Sequence, residues 1–157
     1  MKKVFMSLLG FTLLVSMFSA QFAAAQQIAR TSSPPNDEFP ITINSAFDPD
    51  YEYLFTGGTS VADAGNGKAS ITGYSMATQR VDSIGVQVTL QQWTGSTWID
   101  VYRSPKTVNS SSANTYANHE VEVAEGYYYR SKSYHWIEHG DTKEEGTLYS
   151  GSILISD

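Results

Sequence analysis

Ser83-Ile-Gly-Val-Gln-Val-Thr-Leu-Gln-Gln-Trp-Thr-Gly-Ser-Thr-Trp-Ile-Asp-Val-Tyr-Arg103 is the stretch on which the fold turns. Ile84, Val86, Val88 and Leu90 fall on one face of an extended chain, and Gln87, Thr89 and Gln91 on the other. That period of two is the signature of a half-buried strand. Thr94-Gly95-Ser96-Thr97 then turns the chain into a second strand, Trp98 to Arg103. Pairing Thr94 with Thr97 sets Leu90 opposite Val101 and Gln92 opposite Ile99, so the apolar residues share the core face. The outer face then carries Trp93 opposite Trp98 and Thr89 opposite Tyr102. A slip of one residue would put Asp100 on the core face beside Leu90 and bury its carboxylate, which rejects that register.

The same pattern extends in both directions. Asn66-Gly67 is a hairpin signal, because both central positions of a type I′ turn need positive φ. It joins a strand ending near Ala62 to one covering Ala69 to Ala77, and a further strand is expected near Tyr51 to Thr59. Ser104 to Ala117, rich in Ser and Asn, reads as a connection. Glu120 to Val123 alternates again, and Glu125-Gly126 breaks it. Tyr127 to Glu138 is the longest strand candidate. Its charged set, Tyr128, Arg130, Lys132, Tyr134, Trp136 and Glu138, is assigned to solvent. A polar loop from His139 to Gly146 leads to a last strand, Thr147 to Ile155. The expectation is an all-β, antiparallel, immunoglobulin-like sandwich of about seven strands.

The first 25 residues have another purpose. Lys2 and Lys3 precede an apolar run from Val4 to Phe18, and Ala23-Ala24-Ala25 supplies the small residues of a cleavage site. The run is shorter than the roughly 20 residues that span a bilayer, so a cleaved signal peptide is expected, not an anchor. Residues 26–40 include Thr31-Ser32-Ser33-Pro34-Pro35-Asn36-Asp37-Glu38 and read as a flexible leader. Residues 41–157 form the single domain. No sortase-type motif, transmembrane tail or lipobox cysteine appears, so release outside the cell is expected.

Cleavage would leave 8 basic and 16 acidic side chains, a formal charge of −8. That balance opposes nucleic acid and negatively charged membrane surfaces, and no basic cluster stands out along the sequence. The chain has no cysteine, which excludes disulfides, thiolate zinc sites and thiol catalysis.

Other constellations are weak. Gly73-Tyr74-Ser75-Met76-Ala77 resembles a nucleophile elbow, but that motif belongs on a strand-to-helix turn. His135 and His139 have ligand spacing only on a helix. Asp48-Pro49-Asp50 and Asp63 to Asn66 are ordinary turn sequences without calcium-loop spacing. Glu120 and Glu122 share a strand face with no cleft implied. No metal site, cofactor or catalytic set is assigned.

The surplus is aromatic: ten Tyr, seven Phe and three Trp. Tyr128, Arg130, Tyr134 and Trp136 on one outer face of the long strand, and Trp93 beside Trp98, with Tyr102, on another outer face at the hairpin, are the candidate binding residues. Flat rings on a rigid sheet suit sugar stacking or a protein partner. A secreted binding module for a cell-wall or matrix glycan, or for a protein, is the leading expectation. A secreted antibacterial factor is second and a small extracellular hydrolase third.

Leu90 to Trp98, Val123-Ala-Glu-Gly-Tyr-Tyr-Tyr-Arg130 and Tyr149-Ser-Gly-Ser-Ile-Leu-Ile155 together resemble a family of small secreted Gram-positive proteins, chiefly of bacilli and clostridia, known only as a domain of unknown function. The resemblance spans about Ser60 to Ile155. It implies the immunoglobulin-like sandwich and brings no catalytic residues with it.

The mature protein is expected to begin at Gln26, and the intact mass of the protein in culture supernatant measures this. A membrane-bound species that retains residues 1–25 contradicts it.

Overall fold

The computed structural model describes residues 29–35 and 47–156, so the signal-peptide segment and parts of the leader lie outside the described residues. The strands are β1 (Leu54–Asp63), β2 (Lys68–Trp93), β3 (Trp98–Arg103), β4 (Thr107–Glu122), β5 (Tyr127–His139), β6 (Thr142–Tyr149) and β7 (Ile153–Ile155). Among the described residues there is no helix, and every pairing is antiparallel. The expected all-β, seven-stranded, sandwich-like architecture is present, in the form of one hydrogen-bonded sheet curled on itself.

The curl comes from β2. The two strands expected at Ala69 to Ala77 and Ser83 to Trp93 are a single strand of 26 residues. Its first half pairs with β1 on one edge and β4 on the other, and its second half with β5 on one edge and β4 then β3 on the other. The ladder with β4 shifts between Met76 and Val81, where Thr78 to Arg80 are exposed. Opposite this corner Ser111 adopts φ 48°, while Asn109 Nδ2 and Ser112 Oγ both donate to the Asn114 carbonyl. A strand that bends at a bulge and continues into a second layer is how orthogonally packed sheets turn their corners.

The two layers meet through their inner faces. Ala69, Ile71, Val86, Val88, Leu90, Ala117, Tyr129 and Ile155 form one buried cluster. Phe47, Leu54, Val81, Ile84 and Ile137 form the other. Gly73 allows the approach, since a Cβ there would collide with Val88 and Val86. Buried Glu144 anchors the start of β1 by accepting from the backbone N–H groups of Glu52 (2.7 Å), Tyr53 (3.0 Å) and Leu54 (2.6 Å).

Several local expectations need correction. Trp93 does pair with Trp98 and Gln92 with Ile99, but β3 carries an extra residue, Val101, so Leu90 faces Tyr102 and Thr89 faces Arg103. β3 is an edge strand bonded only to β2, and Tyr102 is the one of its apolar side chains that packs on the core. Ile99 and Val101, expected inside, are exposed. Ser104 to Ala117 is no connection: β4 occupies most of it, because the open edge of β2 satisfies its backbone without large apolar side chains. The loop expected over His139 to Gly146 is a tight hairpin at Gly140-Asp141, and Thr147 to Ile155 is divided between β6 and β7. At the Asn66-Gly67 turn, Gly65 (φ 76°), Asn66 (54°) and Gly67 (66°) all adopt positive φ.

Val88→Asp is expected to unfold the domain and Gln87→Asp to be nearly silent. Val88 is wholly buried on the inner face and Gln87 is half-buried on the outer face. An unpaired buried carboxylate costs several kcal/mol, comparable with a total stability of about 5–15 kcal/mol. Thermal unfolding monitored by circular dichroism measures the difference, and equal shifts would contradict the face assignment.

Candidate binding face

In its first half β2 alternates between buried and exposed positions, but from Ile84 to Trp93 nearly every residue is covered. The inner set lies in the core. The outer set, Gly85, Thr89, Gln91 and Trp93, is covered by long side chains from neighbouring strands. Directly paired residues share a face, so the register defines rows across this outer surface. One row is Trp98–Trp93, a second Asp100–Gln91–Arg130, a third Arg103–Thr89–Lys132–Tyr149, and a fourth Gly85–Trp136–Glu145.

The side chains in these rows interlock. The Trp93 and Trp98 rings lie 5.3 Å apart. The Arg130 guanidinium sits 4.4 Å from the Trp98 ring and 4.6 Å from Tyr149, and its Nε donates to Gln91 Oε1 at 2.8 Å. Gln91 Nε2 in turn donates to Asp100 Oδ1 at 2.7 Å. That bond, followed by the one from Arg103, holds the Asp100 carboxyl below its ordinary pKa. Tyr134 stacks on Trp136 at 5.3 Å, and Lys106 caps the other ring contact, 5.3 Å from the Trp136 centroid. Gly85 makes room for Trp136, since a Cβ at that position would run into the indole. Tyr134 hydroxyl and Lys143 both donate to Glu145, which lowers the carboxyl pKa, with Lys143 as the larger cause. Cation–π contacts of this kind contribute about 0.5–1 kcal/mol each at exposed sites.

Six of the seven candidate residues therefore share one face: Trp93, Trp98, Tyr128, Arg130, Tyr134 and Trp136. Tyr102 does not. The extra residue at Val101 turns it inward, where its ring lies 6.0 Å from His119. Nor are the six uniformly open: Trp93 and Trp136 are each only 7% exposed, as floor beneath their neighbours. The accessible rings are those of Trp98, Tyr128, Tyr134 and Tyr149, all half-buried. Tyr149 was missed in the sequence, because its place beside Lys132 depends on the β5–β6 register. Of the described leader residues, Arg30 lies over the Tyr127 ring and Ser33 Oγ is 2.9 Å from the Tyr128 hydroxyl, at one end of this face.

A second surface was also missed. On the outer side of the other layer Tyr74 lies over Gly58 and pairs with Tyr116, and Met76 follows on the same face. Tyr74, Met76 and Tyr116 are exposed, Tyr116 by 59%, and the residues paired around them are Thr56, Gly58 and Asn114. The alternation Thr72–Tyr74–Met76 against Ile71–Gly73–Ser75 was the available signal.

The folded chain does bring Ser75 and His135 together, with Ser75 Oγ 2.8 Å from Nδ1. Ser75 has one hydroxyl proton and gives it to the Gly85 carbonyl at 2.9 Å, so Nδ1 carries hydrogen and donates to Ser75. Nε2 is left to accept from Ser133 at 2.6 Å. Wired this way, the imidazole cannot take a proton from Ser75, and the trio is wholly buried. His139 lies apart, 3.3 Å from Asp82. The Asp48 and Asp63 carboxylates accept from Asp50 and Gly65 N–H groups in their own turns. Glu120 and Glu122 are exposed at the end of β4. Among the described residues no group of three or more His, Asp or Glu side chains is arranged to hold a metal ion.

No protein-family model matches the chain, and no curated protein matches it. Among solved structures, the solution structure of R. palustris CsgH is similar at 9% identity and a TM-score of 0.35, over 59% of this chain and 91% of that one.

Burial lowers the His135 pKa from 6.5 to about 4. The folded state therefore prefers the neutral ring. The stability tied to it is intact above pH 6.5 and is lost as pH falls toward 4, about 3 kcal/mol across that window at about 1.4 kcal/mol per unit. Urea unfolding at pH 7 and pH 4.5 is expected to show a larger acid loss for the wild type than for His135→Gln. Equal losses would mean that His135 is protonated in the fold.

Proposed function

We propose that this protein is an exported, non-catalytic binding module that holds an extracellular glycan on the outer face of β3, β2, β5 and β6. The observation that carries this reading is the ladder Trp98–Arg130–Tyr149–Lys132, continued by Tyr134 on Trp136. Its rings are immobilised by cation contacts, by Gln91 and by the Trp136 floor, so a ligand stacking on them orders little that is not already ordered. Pre-organised aromatic anchors are what give small interfaces their affinity. The face is a broad sheet surface, which suits a polymer laid along it better than a small substrate enclosed in a cavity.

A protein partner is the second reading, and a different observation favours it. The uncharged, exposed surface around Tyr74, Met76 and Tyr116 has the composition of an interface centre, where Tyr and Met are enriched and charge is depleted.

The test is retention on insoluble cell-wall and matrix glycans. Trp98→Ala and Tyr134→Ala are each expected to weaken retention by about thirtyfold, since truncated anchors typically cost 2 kcal/mol or more, while the fold survives. Tyr74→Ala is expected to bind like the wild type. Loss with Tyr74→Ala and not with the other two would move the site to the second surface.

A further inference from the structure

We infer that the glycan held on this face is anionic, a polymer bearing carboxylate, sulfate or phosphodiester groups; this rests on the glycan-binding reading proposed above. The chain as a whole is acidic, and its basic residues look scattered along the sequence. Strand pairing gathers them. Arg103 from β3, Lys106 from the segment before β4, Arg130 and Lys132 from β5 and Lys143 from β6 all project onto the one outer face that carries the aromatic ladder. These are five of the eight basic side chains that lie beyond residue 25.

Arg130 is engaged by Trp98, Tyr149 and Gln91, and partners separate the other four into two groups. Arg103 is matched by Asp100 at 3.0 Å and Lys143 by Glu145 at 2.6 Å. Lys106 and Lys132 meet aromatic rings instead, Trp136 at 5.3 Å and Tyr149 at 6.0 Å, and among the described residues neither has a carboxylate within ion-pair distance. Each ammonium is thus paired with a ring face and retains hydrogen-bonding capacity toward solvent, because a ring contact occupies at most one side of a group with three donors. The two lysines bracket the Tyr134–Trp136 stack: Lys132 lies two residues before Tyr134 on the same strand face, and Lys106 lies over Trp136. A sugar ring stacked on Tyr134 would have an ammonium on either side for an acidic substituent. A neutral glycan would use the rings and leave both charges without function. Duplex DNA fits less well, since it carries one charge per about 1.7 Å and would meet the acidic remainder of the chain as it approaches.

The experiment measures affinity of the purified protein for polygalacturonate, heparin and teichoic acid as carboxylate, sulfate and phosphodiester probes, with amylose as a neutral probe and duplex DNA as a separate arm. Binding to at least one anionic glycan is expected, weakening as sodium chloride rises. Lys106→Gln and Lys132→Gln should each reduce it by about tenfold, Lys132→Arg should restore it, and Lys68→Gln, at the far end of β2, should leave it unchanged. Circular dichroism confirms that the variants fold. Anionic binding indifferent to both lysines overturns their place as the anion's partners. Binding to amylose alone, or to amylose and the anionic glycans alike, overturns the anionic assignment and leaves the glycan reading standing. Failure to bind any glycan overturns both. Lysine-dependent binding to DNA in preference to all three glycans overturns the ligand class.

Discussion

The continuity of β2 is the constraint on which the other strands depend. β1, β3, β4 and β5 all draw hydrogen bonds from it, and β6 and β7 reach the sheet only through β5. A strand of 26 residues cannot lie flat in a domain this small, so it bends where Thr78 to Arg80 leave the β4 ladder and then crosses into the second layer. The bend is fixed from both sides. The Thr78 N–H donates to the Tyr53 carbonyl and its hydroxyl to that of Glu52, while Glu144 holds the N–H groups of the same short segment. Backbone groups that a straight ladder would have satisfied are satisfied here by specific side chains, as a buried corner requires.

Two outer faces with different chemistry follow from that bend. The first half of β2 lies between β1 and β4, where its outward partners are Thr56, Gly58, Asn114 and Tyr116, too few long side chains to cover it, so Tyr74 and Met76 stand open beside Tyr116. The second half lies between β3 and β5, whose outward residues are long, so Thr89 and Gln91 are buried beneath stems of Arg and Lys and beneath indole rings. Amphipathic side chains can cover a sheet while their charged ends remain in water. The same atoms therefore insulate the β2–β5 ladder and present cations to solvent, and a structural role for the rings does not compete with a binding role.

How much of this could be read in the sequence depended on which physical signal each element left there. Ile84 to Leu90 alternate because one face meets the core, and the Trp93–Trp98 pair follows from a four-residue turn; both were legible. β4 was legible only at its end, Glu120 to Glu122, because the inward residues before that are small. Thr115 and Ala117 pack where Gly73 brings the layers close, and small side chains leave no hydrophobic period. The extra residue at Val101 was invisible, since a bulge changes pairing without changing composition, and it removed Tyr102 from the face assigned to it. Strand parity is local, so six of the seven candidate site residues could be read as outward-facing, but that the Trp93–Trp98 pair shares one face with the long strand, where two outer faces are expected, follows only from the β2–β5 pairing. The clustering of Lys106 with Lys132, and the arrival of Tyr149, required the register between distant strands, which no local pattern contains.

The polar residues inside the fold have a purpose that their solubility would not suggest. Between the two apolar clusters lies a seam of small polar side chains: Ser75, Ser133 and His135, with Thr59 hydroxyl 2.6 Å from Ser131. Apolar packing alone tolerates many ways of sliding one layer over the other, since Val, Ile and Leu fit several neighbours of similar volume. A ring on β5 that must donate to Ser75 on the other layer, while Ser133 of its own strand holds its Nε2, permits only one. Each hydrogen bond contributes modestly when made, but breaking one by a shift leaves a buried polar group unsatisfied, at about 1–3 kcal/mol. The seam therefore selects among packings more strongly than it stabilises any of them. That selection fixes how the halves of β2 lie over one another, and through β5 it sets the positions of Arg130, Lys132 and Tyr134 on the opposite side of the same strand.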